Sequence, residues 1–201
     1  MHWFDTSPKA IALYSLTLLL GLVEIVVLWQ ALHPDVSENY RAYYITRTTT
    51  CLQQPVTGAY RLGSVVDFTN AGDMDAAREL LPCGWEHAND DGRQSLGESS
   101  RMRFFVGAPQ DLTLTVTAKG INLNDAGDRI VQMFAGEQPI GEASLGAEAT
   151  ETFTFLVPAS GIQDGFLDLR LDFPNAIETS PGISNTYWRS IKLISAQLSP
   201  A

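Results

Sequence analysis

Residues 112–118, "LTLTVTA", alternate strictly between apolar and hydroxyl-bearing side chains and end on the apolar Ala118. Leu112, Leu114 and Val116 fall on one face of an extended chain and the threonines fall on the other, because successive side chains of a strand point to opposite faces. One apolar and one polar face are typical of an antiparallel strand that is buried on one side. The stretch therefore predicts a half-buried strand in a sheet that packs on a second layer.

The same period of two recurs along the C-terminal half of the chain and predicts further strands. These strands are "SRMRFFV" (100–106), "RIVQMFA" (129–135), "ETFTFLV" (151–157), "FLDLRLDF" (166–173) and "SIKLISAQL" (190–198), with a hairpin around Gly136 leading into "GEQPIGEASL". One helix is predicted over Asp73–Leu81, where acids occupy the first turn and Pro82 follows. We expect an all-β fold, a jelly-roll-like two-sheet antiparallel sandwich.

An apolar run of 23 residues, 10–32, precedes this region and would span about 34 Å as a helix, enough to cross a membrane. Ser7 and Pro8 fit the cap and first position of that helix. The run is longer than the apolar core of a signal peptide and lacks a small-residue cleavage site, so we expect an uncleaved transmembrane helix. The predicted segments are a short N-terminus (1–9), the transmembrane helix (10–32), a stalk (33–55) that is either helical or a first strand, and the β-sandwich (56–201).

The chain has two cysteines, Cys51 and Cys83, and both follow the apolar run. A pair of this kind in a small domain outside the cytoplasm usually forms a disulfide. Lys9 gives the short N-terminal flank a weak positive-inside signal. Together these features predict a bacterial inner-membrane protein with one pass, a cytoplasmic N-terminus and a periplasmic C-terminal domain.

The apolar run contains one acid, Glu24. Steps of three and four residues place Tyr14, Thr17, Gly21 and Glu24 on a single stripe of the helix. Small and polar residues on one stripe are how membrane helices pack together, with polar side chains hydrogen-bonding across the contact. We therefore predict that this stripe contacts other integral membrane subunits, while the remaining faces contact membrane lipid.

Composition and motifs argue against several function classes. A formal net charge of −10 disfavours binding to nucleic acid or to anionic lipid headgroups through bulk charge. The β-sandwich has a single histidine, His87, and the chain lacks the common hydrolase, kinase and nucleotide-binding motifs, so no enzyme activity and no cofactor are expected. The oxygen-rich stretches 122–128 and 89–93 are interpreted as turns because neither shows the full ligand spacing of a calcium site, and no metal is expected.

Aromatic side chains near arginines suggest a ligand or interface surface, because sugars combine apolar C–H faces with hydroxyl groups. The candidate residues are Trp85, Arg93, Tyr187, Trp188 and Arg189. The alternative is structural, with Trp85 in the core and Trp188 at an edge or an interface.

An ordered series of stretches between residues 60 and 198 resembles a bacterial extracytoplasmic β-sandwich family. These are "YRLGSVVDFTNAGD", "GWEHANDDGRQSLGESSRMRFFV", "VQMFAGEQPIG", "FTFLVPA", "DGFLDLRLDFPNA" and "YWRSIKLISAQL". Domains of that family resemble carbohydrate-binding modules and are often appended to membrane glycosyltransferases and polysaccharide-assembly proteins. The resemblance implies the fold. It does not imply the sugar site, because Arg93 and Gln94 replace the family's aromatic after the "DG" turn and residues 187–192 lack its closing acid and glycine.

We expect a non-catalytic accessory subunit of a bacterial membrane complex. The complex would be a polysaccharide-synthesis or an energy-transducing assembly, such as a photosynthetic or respiratory one. The helix would dock on partner subunits, and the β-sandwich would cover their periplasmic face. The alternative is a membrane-anchored module that binds a glycan.

Overall fold

A computed structural model of the chain describes residues 7–46, 51–69, 77–87, 89–122, 127–179 and 188–201. The chain divides into two compact units, Met1–Glu38 and Asn39–Ala201. The first unit is dominated by one long helix and the second by β-structure.

Helix α1 runs over Pro8–Leu32. Its first turn is capped by Ser7, whose hydroxyl oxygen accepts a hydrogen bond from the Ala10 N–H at 3.3 Å, and Pro8 takes a position where its missing N–H costs nothing. No residue of α1 is buried, and the mean hydropathy of its most apolar window is 2.4. The predicted helix is confirmed, with Ser7 as its cap and Pro8 at its first position as expected. Its length and composition suffice to cross a membrane.

A short helical segment precedes the β-sandwich. Helix α2 covers Glu38–Tyr40 and continues into a π-helical turn over Arg41–Ile45. Thr46 ends the turn by donating its N–H to the Arg41 carbonyl oxygen at 2.9 Å. Of the two alternatives for the stalk, the described residues around Glu38–Ile45 are therefore helical and not a first strand.

Two antiparallel sheets form the β-sandwich. The first sheet contains β1 (Val65–Asp67), β12 (Ile191–Pro200), β4 (Leu112–Gly120) and β7 (Thr150–Val157) in that order, and β2 (Arg93–Gln94) also pairs with β12. The second contains β3 (Ser99–Phe105), β9 (Phe166–Asp172), β5 (Arg129–Ala135) and β6 (Gln138–Leu145), and β8 (Ile162–Gln163) also pairs with β9. A separate pair joins β10 (Ile177–Glu178) to β11 (Trp188–Arg189).

Alternating side chains build the core between these sheets. Every second residue of β4, from Leu112 to Ala118, is buried, and the threonines between them are partly exposed. Leu114 lies opposite Phe155 of β7 on one side and Leu198 of β12 on the other. The predicted two-sheet sandwich is confirmed, because each stretch with a period of two contributes its apolar face to one shared core.

Two further local predictions have different outcomes. The hairpin around Gly136 is confirmed: β5 pairs with β6 across a turn in which Gly136 has φ +59°, a conformation that glycine adopts without strain. The helix predicted over Asp73–Leu81 is observed at Ala77 and Arg78 and was predicted too long at its end, because Glu79 and Leu80 form a turn; residues 73–76 lie outside the described residues.

One charged side chain, Arg129, lies inside the β-sandwich with only 1% of its surface exposed. Its guanidinium donates to the Gly127 carbonyl oxygen from Nε and Nη2, at 3.2 and 2.7 Å, and to the Asn175 carbonyl oxygen from Nη1 at 2.9 Å. Burial lowers the pKa of Arg129. Its forked donors tie the start of β5 to the turn after β9, which satisfies two carbonyl groups at once.

Candidate functional site

The two cysteines form a disulfide, as predicted, with the Cys51 and Cys83 Cα atoms 5.1 Å apart. Just beyond it, the Gln54 N–H donates to the Pro82 carbonyl oxygen at 2.8 Å. The disulfide and this hydrogen bond hold residues 51–54 beside residues 82–83, along the outer edge of β3, where Arg101 N–H donates to the Cys83 carbonyl oxygen at 3.0 Å.

Four of the five residues predicted as a ligand or interface surface lie around one acid, Glu86. Arg93 Nη1 donates to the Glu86 carbonyl oxygen at 3.1 Å, and Arg189 Nη2 forms an ion pair with the Glu86 carboxylate. The Trp188 carbonyl oxygen accepts from the Gly97 N–H at 2.9 Å. Tyr187 lies outside the described residues.

The two arginines of this group are turned into the protein. Arg93 is 8% exposed and Arg189 is 7% exposed, and burial lowers the pKa of Arg93. Their guanidinium groups connect β2 and β11 to the segment around Glu86, while the buried Nε of Arg93 has no hydrogen-bond partner among the described residues. A role of Arg93 and Arg189 in ligand contact stays a prediction.

Trp85 lies at the wall of an open cleft of about 350 Å³, here called the Trp85 cleft. Its indole N–H donates to the Arg101 carbonyl oxygen at 2.8 Å, which fixes the ring, and the ring also packs against the core. The other lining residues are mainly polar and include Asn89, Asp91, Gln94 and Lys192. The sequence analysis missed Gln94 and Lys192 as lining residues. The alternation of "SIKLISAQL" places Lys192 on the polar face of β12 and was a usable signal, whereas the two-residue strand β2 gives no such signal for Gln94.

An ion pair between Lys192 and Asp91 crosses the Trp85 cleft. The hydrogen bond from Lys192 holds the pKa of Asp91 below its ordinary value. The adjacent turn is tight: Asp90 N–H donates to the Asn89 side-chain oxygen at 2.9 Å, and Gly92 N–H donates to the Asn89 carbonyl oxygen at 3.1 Å. A side chain at Gly92 would meet the Leu193 carbonyl oxygen at 2.5 Å, so glycine lets this turn lie against β12.

A second cleft, of about 600 Å³, was not predicted from the sequence; it is called here the Arg101/Arg103 cleft. Arg101 and Arg103 are alternate residues of β3 and therefore point to the same face of the sheet. The Arg103 guanidinium carbon lies 4.3 Å from the centre of the Phe166 ring, and its Nε lies 3.6 Å from Asp168 Oδ1. Further lining residues are Asn39, Gln53, Gln54 and Thr57.

The helix-packing stripe lies on exposed surface of α1. The Thr17 hydroxyl donates to the Leu13 carbonyl oxygen at 3.0 Å, so its polar group is satisfied within the helix. Nothing lies within 4 Å of the position of a side chain at Gly21, and Tyr14 is exposed. The Glu24 carboxylate has no hydrogen-bond or ion-pair partner among the residues that the structure describes.

No group of three or more histidine, cysteine or acidic residues that could hold a metal ion occurs in the described parts of the chain. Of the two oxygen-rich stretches, 89–93 is engaged in the turn described above. Residues 123–126 of the other stretch lie outside the described residues.

Neither a protein-family model nor a curated protein sequence matches this chain. Its β-sandwich is similar to several solved carbohydrate-binding modules. A CBM36 module in complex with calcium and xylotriose is 13% identical, covers 68% of this chain and 99% of its own, and has a TM-score of 0.41. The CsCBM6-3 module from Clostridium stercorarium in complex with cellobiose is 14% identical, with coverages of 73% and 100% and a TM-score of 0.38.

A family 35 carbohydrate-binding module from an environmental isolate is 11% identical, with coverages of 74% and 95% and a TM-score of 0.36. The resemblance to carbohydrate-binding modules seen in the sequence is thereby confirmed, and it is a resemblance of fold.

Proposed function

We propose that this protein is a non-catalytic, single-pass accessory subunit of a bacterial membrane complex. Helix α1 crosses the inner membrane and packs on helices of partner subunits, and the β-sandwich covers the periplasmic face of the complex. The observation that carries the proposal is the Glu24 carboxylate, the one acid of the mainly apolar helix α1, which has no partner among the described residues.

Placing such an acid in a bilayer is costly. An acidic side chain at the centre of a membrane helix costs about 2.5–3.5 kcal/mol on insertion scales. A hydrogen-bond donor on a neighbouring helix lowers that cost, and close approach is easiest where the helix surface is small. Gly21 provides such an open position three residues before Glu24, on the same side of the helix. The Glu24 stripe therefore has both the polar group and the space that helix packing requires.

The disulfide supports the orientation. Disulfides form and persist in oxidising compartments and are rare in the bacterial cytoplasm. The bond between Cys51 and Cys83 therefore supports an orientation with the β-sandwich on the periplasmic side and the N-terminus in the cytoplasm.

Purification of the full-length protein from its native membranes in a mild detergent tests this function. We expect stoichiometric membrane proteins to co-purify with the wild type, to be lost with Glu24→Leu, and to be partly retained with Glu24→Gln, which can still form hydrogen bonds. Val26→Leu is the matched control, because two helical residues rotate the side chain by about 200° to the opposite face. A wild type that purifies alone, or a Glu24→Leu variant that keeps every partner, would contradict the proposal.

The Trp85 cleft favours a second candidate function, an anchored glycan-binding module. A fixed aromatic ring beside amide and carboxylate side chains is suited to a sugar, because the ring takes the C–H face and the polar groups take hydroxyls. We expect the wild type to be retained by members of a glycan array and Gln94→Ala to be released. Gln163→Ala, an exposed glutamine of β8, is the control. No retention of the wild type, or equal retention of Gln94→Ala, would remove this candidate.

A further inference from the structure

We propose that the Arg101/Arg103 cleft binds the phosphate of a membrane phospholipid headgroup, and that an adjacent tyrosine patch enters the headgroup region. The tyrosine patch consists of Tyr40, Tyr43, Tyr44 and Ile45. This inference rests on the membrane anchoring of α1 proposed above and adds a second contact with the bilayer, made by the β-sandwich unit itself.

The two arginines provide the chemistry. They are two residues apart on β3, so their side chains leave the same face of the sheet about 7 Å apart. The Arg101 side chain has no acidic partner among the described residues. Arg103 is held in place by the Phe166 ring and by an ion pair with Asp168, which also lines the cleft and lies 3.6 Å from its Nε, too far for a hydrogen bond. Guanidinium groups bind phosphate through paired, charge-assisted hydrogen bonds, so this pair suits a phosphodiester.

The walls of the cleft suit the rest of a headgroup. Gln53 and Gln54 are exposed on one wall and offer amide groups to glycerol or ester oxygens. Val56 and Phe166, both half-buried, contribute apolar surface to the cleft. The wall is fixed, because Cys51 is bonded to Cys83 and Gln54 N–H is hydrogen-bonded to Pro82. A fixed wall reduces the ordering cost of binding.

The tyrosine patch is exposed and lies next to the cleft in the chain. Tyr40 and Tyr44 are 44% and 51% exposed, and their ring centres are 4.6 Å apart. Tyrosine is enriched where membrane meets water because its ring is apolar and its hydroxyl is polar. Asn39, which lines the cleft, immediately precedes the patch. A headgroup phosphate bound in the cleft and a tyrosine patch at the membrane surface can therefore occur together.

Chain length makes this placement possible. Asn39 follows the end of α1 at Leu32 by seven residues, and seven residues extend over at most about 25 Å. The net charge of −10 disfavours a general attraction to an anionic surface. Recognition must therefore be local, through the two arginines, and this makes their substitution the decisive test.

Native mass spectrometry of the full-length protein in detergent tests the site, with phosphatidylglycerol as the probe and diacylglycerol of the same chains as the phosphate-free comparison. We expect a single phosphatidylglycerol adduct on the wild type and no diacylglycerol adduct. Arg101→Gln should reduce the adduct about tenfold, since losing charge-assisted hydrogen bonds costs that much in affinity. Arg61→Gln, at an exposed arginine of the same unit, is the matched control and should leave the adduct unchanged.

Three outcomes would overturn the proposal: equal adducts with diacylglycerol, an unchanged adduct in Arg101→Gln, or an adduct removed equally by Arg61→Gln. Inorganic phosphate as a competitor separates the two sources of the anion. If it displaces phosphatidylglycerol at equal concentration, the cleft takes free phosphate and the lipid assignment is wrong. A thermal unfolding midpoint equal to that of the wild type shows that Arg101→Gln is folded.

Hydrogen–deuterium exchange tests the tyrosine patch. In lipid nanodiscs that contain phosphatidylglycerol, we expect slow hydrogen–deuterium exchange at residues 39–45 and 51–57, and faster exchange at 51–57 in Arg101→Gln. Equal exchange in both proteins would contradict the proposal. Failure here is distinguishable from failure of the proposed function, which is read from co-purifying partners. If alkaline carbonate extracts the chain from membranes, the anchoring itself is wrong.

Discussion

Arg129 and Glu24 are both charged side chains in mainly apolar parts of the molecule, and they differ in whether the described chain supplies their hydrogen-bond partners. Arg129, inside the β-sandwich, donates to the carbonyl oxygens of Gly127 and Asn175. Glu24, on α1, has no partner among the described residues. A buried polar group without a partner costs about 1–3 kcal/mol, so a stable unit provides partners from its own chain. The β-sandwich does so and α1 does not, which is why we infer that the partner of Glu24 belongs to another protein.

We expect the largest loss of β-sandwich stability when the disulfide is removed. Cys51 and Cys83 are separated by 32 positions, and closing a loop of that length stabilises a fold by about 3–4 kcal/mol. We expect a double Cys51→Ala/Cys83→Ala variant to lose about that much free energy of unfolding in urea titrations followed by tryptophan fluorescence. The reduced wild type is the control and should match the variant. An unchanged midpoint would show that the disulfide does not constrain the unfolded chain.

Replacing the buried Arg129 tests whether its hydrogen bonds to backbone carbonyl groups stabilise the β-sandwich. Arg129→Met keeps much of the side-chain volume but leaves the two carbonyl groups without their donor. We expect a loss of about 1.5–3 kcal/mol in the free energy of unfolding, because hydrogen bonds from a charged donor are removed. Arg61→Met, at an exposed position, is the matched control and should change stability little. Equal effects of the two substitutions would mean that the hydrogen bonds of Arg129 contribute nothing.

Acid tests how much the exposed ion pair between Lys192 and Asp91 stabilises the β-sandwich. The hydrogen bond from Lys192 lowers the pKa of Asp91 below its ordinary value of 3.8. The stabilisation is therefore complete above about pH 4 and is lost as the pH falls through the lower pKa of the folded state. Because the pair is exposed, we expect its share to be under about 1 kcal/mol. Stability curves of wild type and Asp91→Asn should converge towards low pH, and a constant difference across the range would contradict this.

We expect the smallest effect on stability from a substitution in helix α1. If Glu24 has no partner within its own chain, Glu24→Leu should change the unfolding free energy of the β-sandwich by less than about 0.5 kcal/mol in detergent. The measurement is the same urea titration, followed through Trp85 and Trp188 of the second unit. A loss above about 1 kcal/mol would reveal an intrachain partner for Glu24, and the inferred partner protein would no longer be needed.

Most strands could be predicted from the sequence because burial on one face imposes a period of two. In β4 and β9, alternation alone identifies the buried leucines. The disulfide was predictable because only two cysteines occur. In both cases one local pattern has a single physical explanation.

The orientation of the arginines could not be predicted in the same way. Arg93 and Arg189 occupy two-residue strands, where no periodicity indicates the buried face, and only the position of Glu86 turns them inward. The Arg101/Arg103 cleft depends on residues 51–57, which form no helix or strand and are positioned by the disulfide. Long-range contacts of this kind leave no periodic trace in the sequence.

The disulfide also decides how mechanical tension would pass through an anchored chain. A pull arriving from α1 reaches Cys51 first and crosses the sulfur–sulfur bond to Cys83, next to the edge strand β3. Residues 52–82 lie outside this covalent route, so roughly 110 Å of extended chain cannot be drawn out while the bond is intact. With the bond intact, residues 52–82 of an anchored chain would therefore not lengthen under load, whereas reduction would let this segment extend.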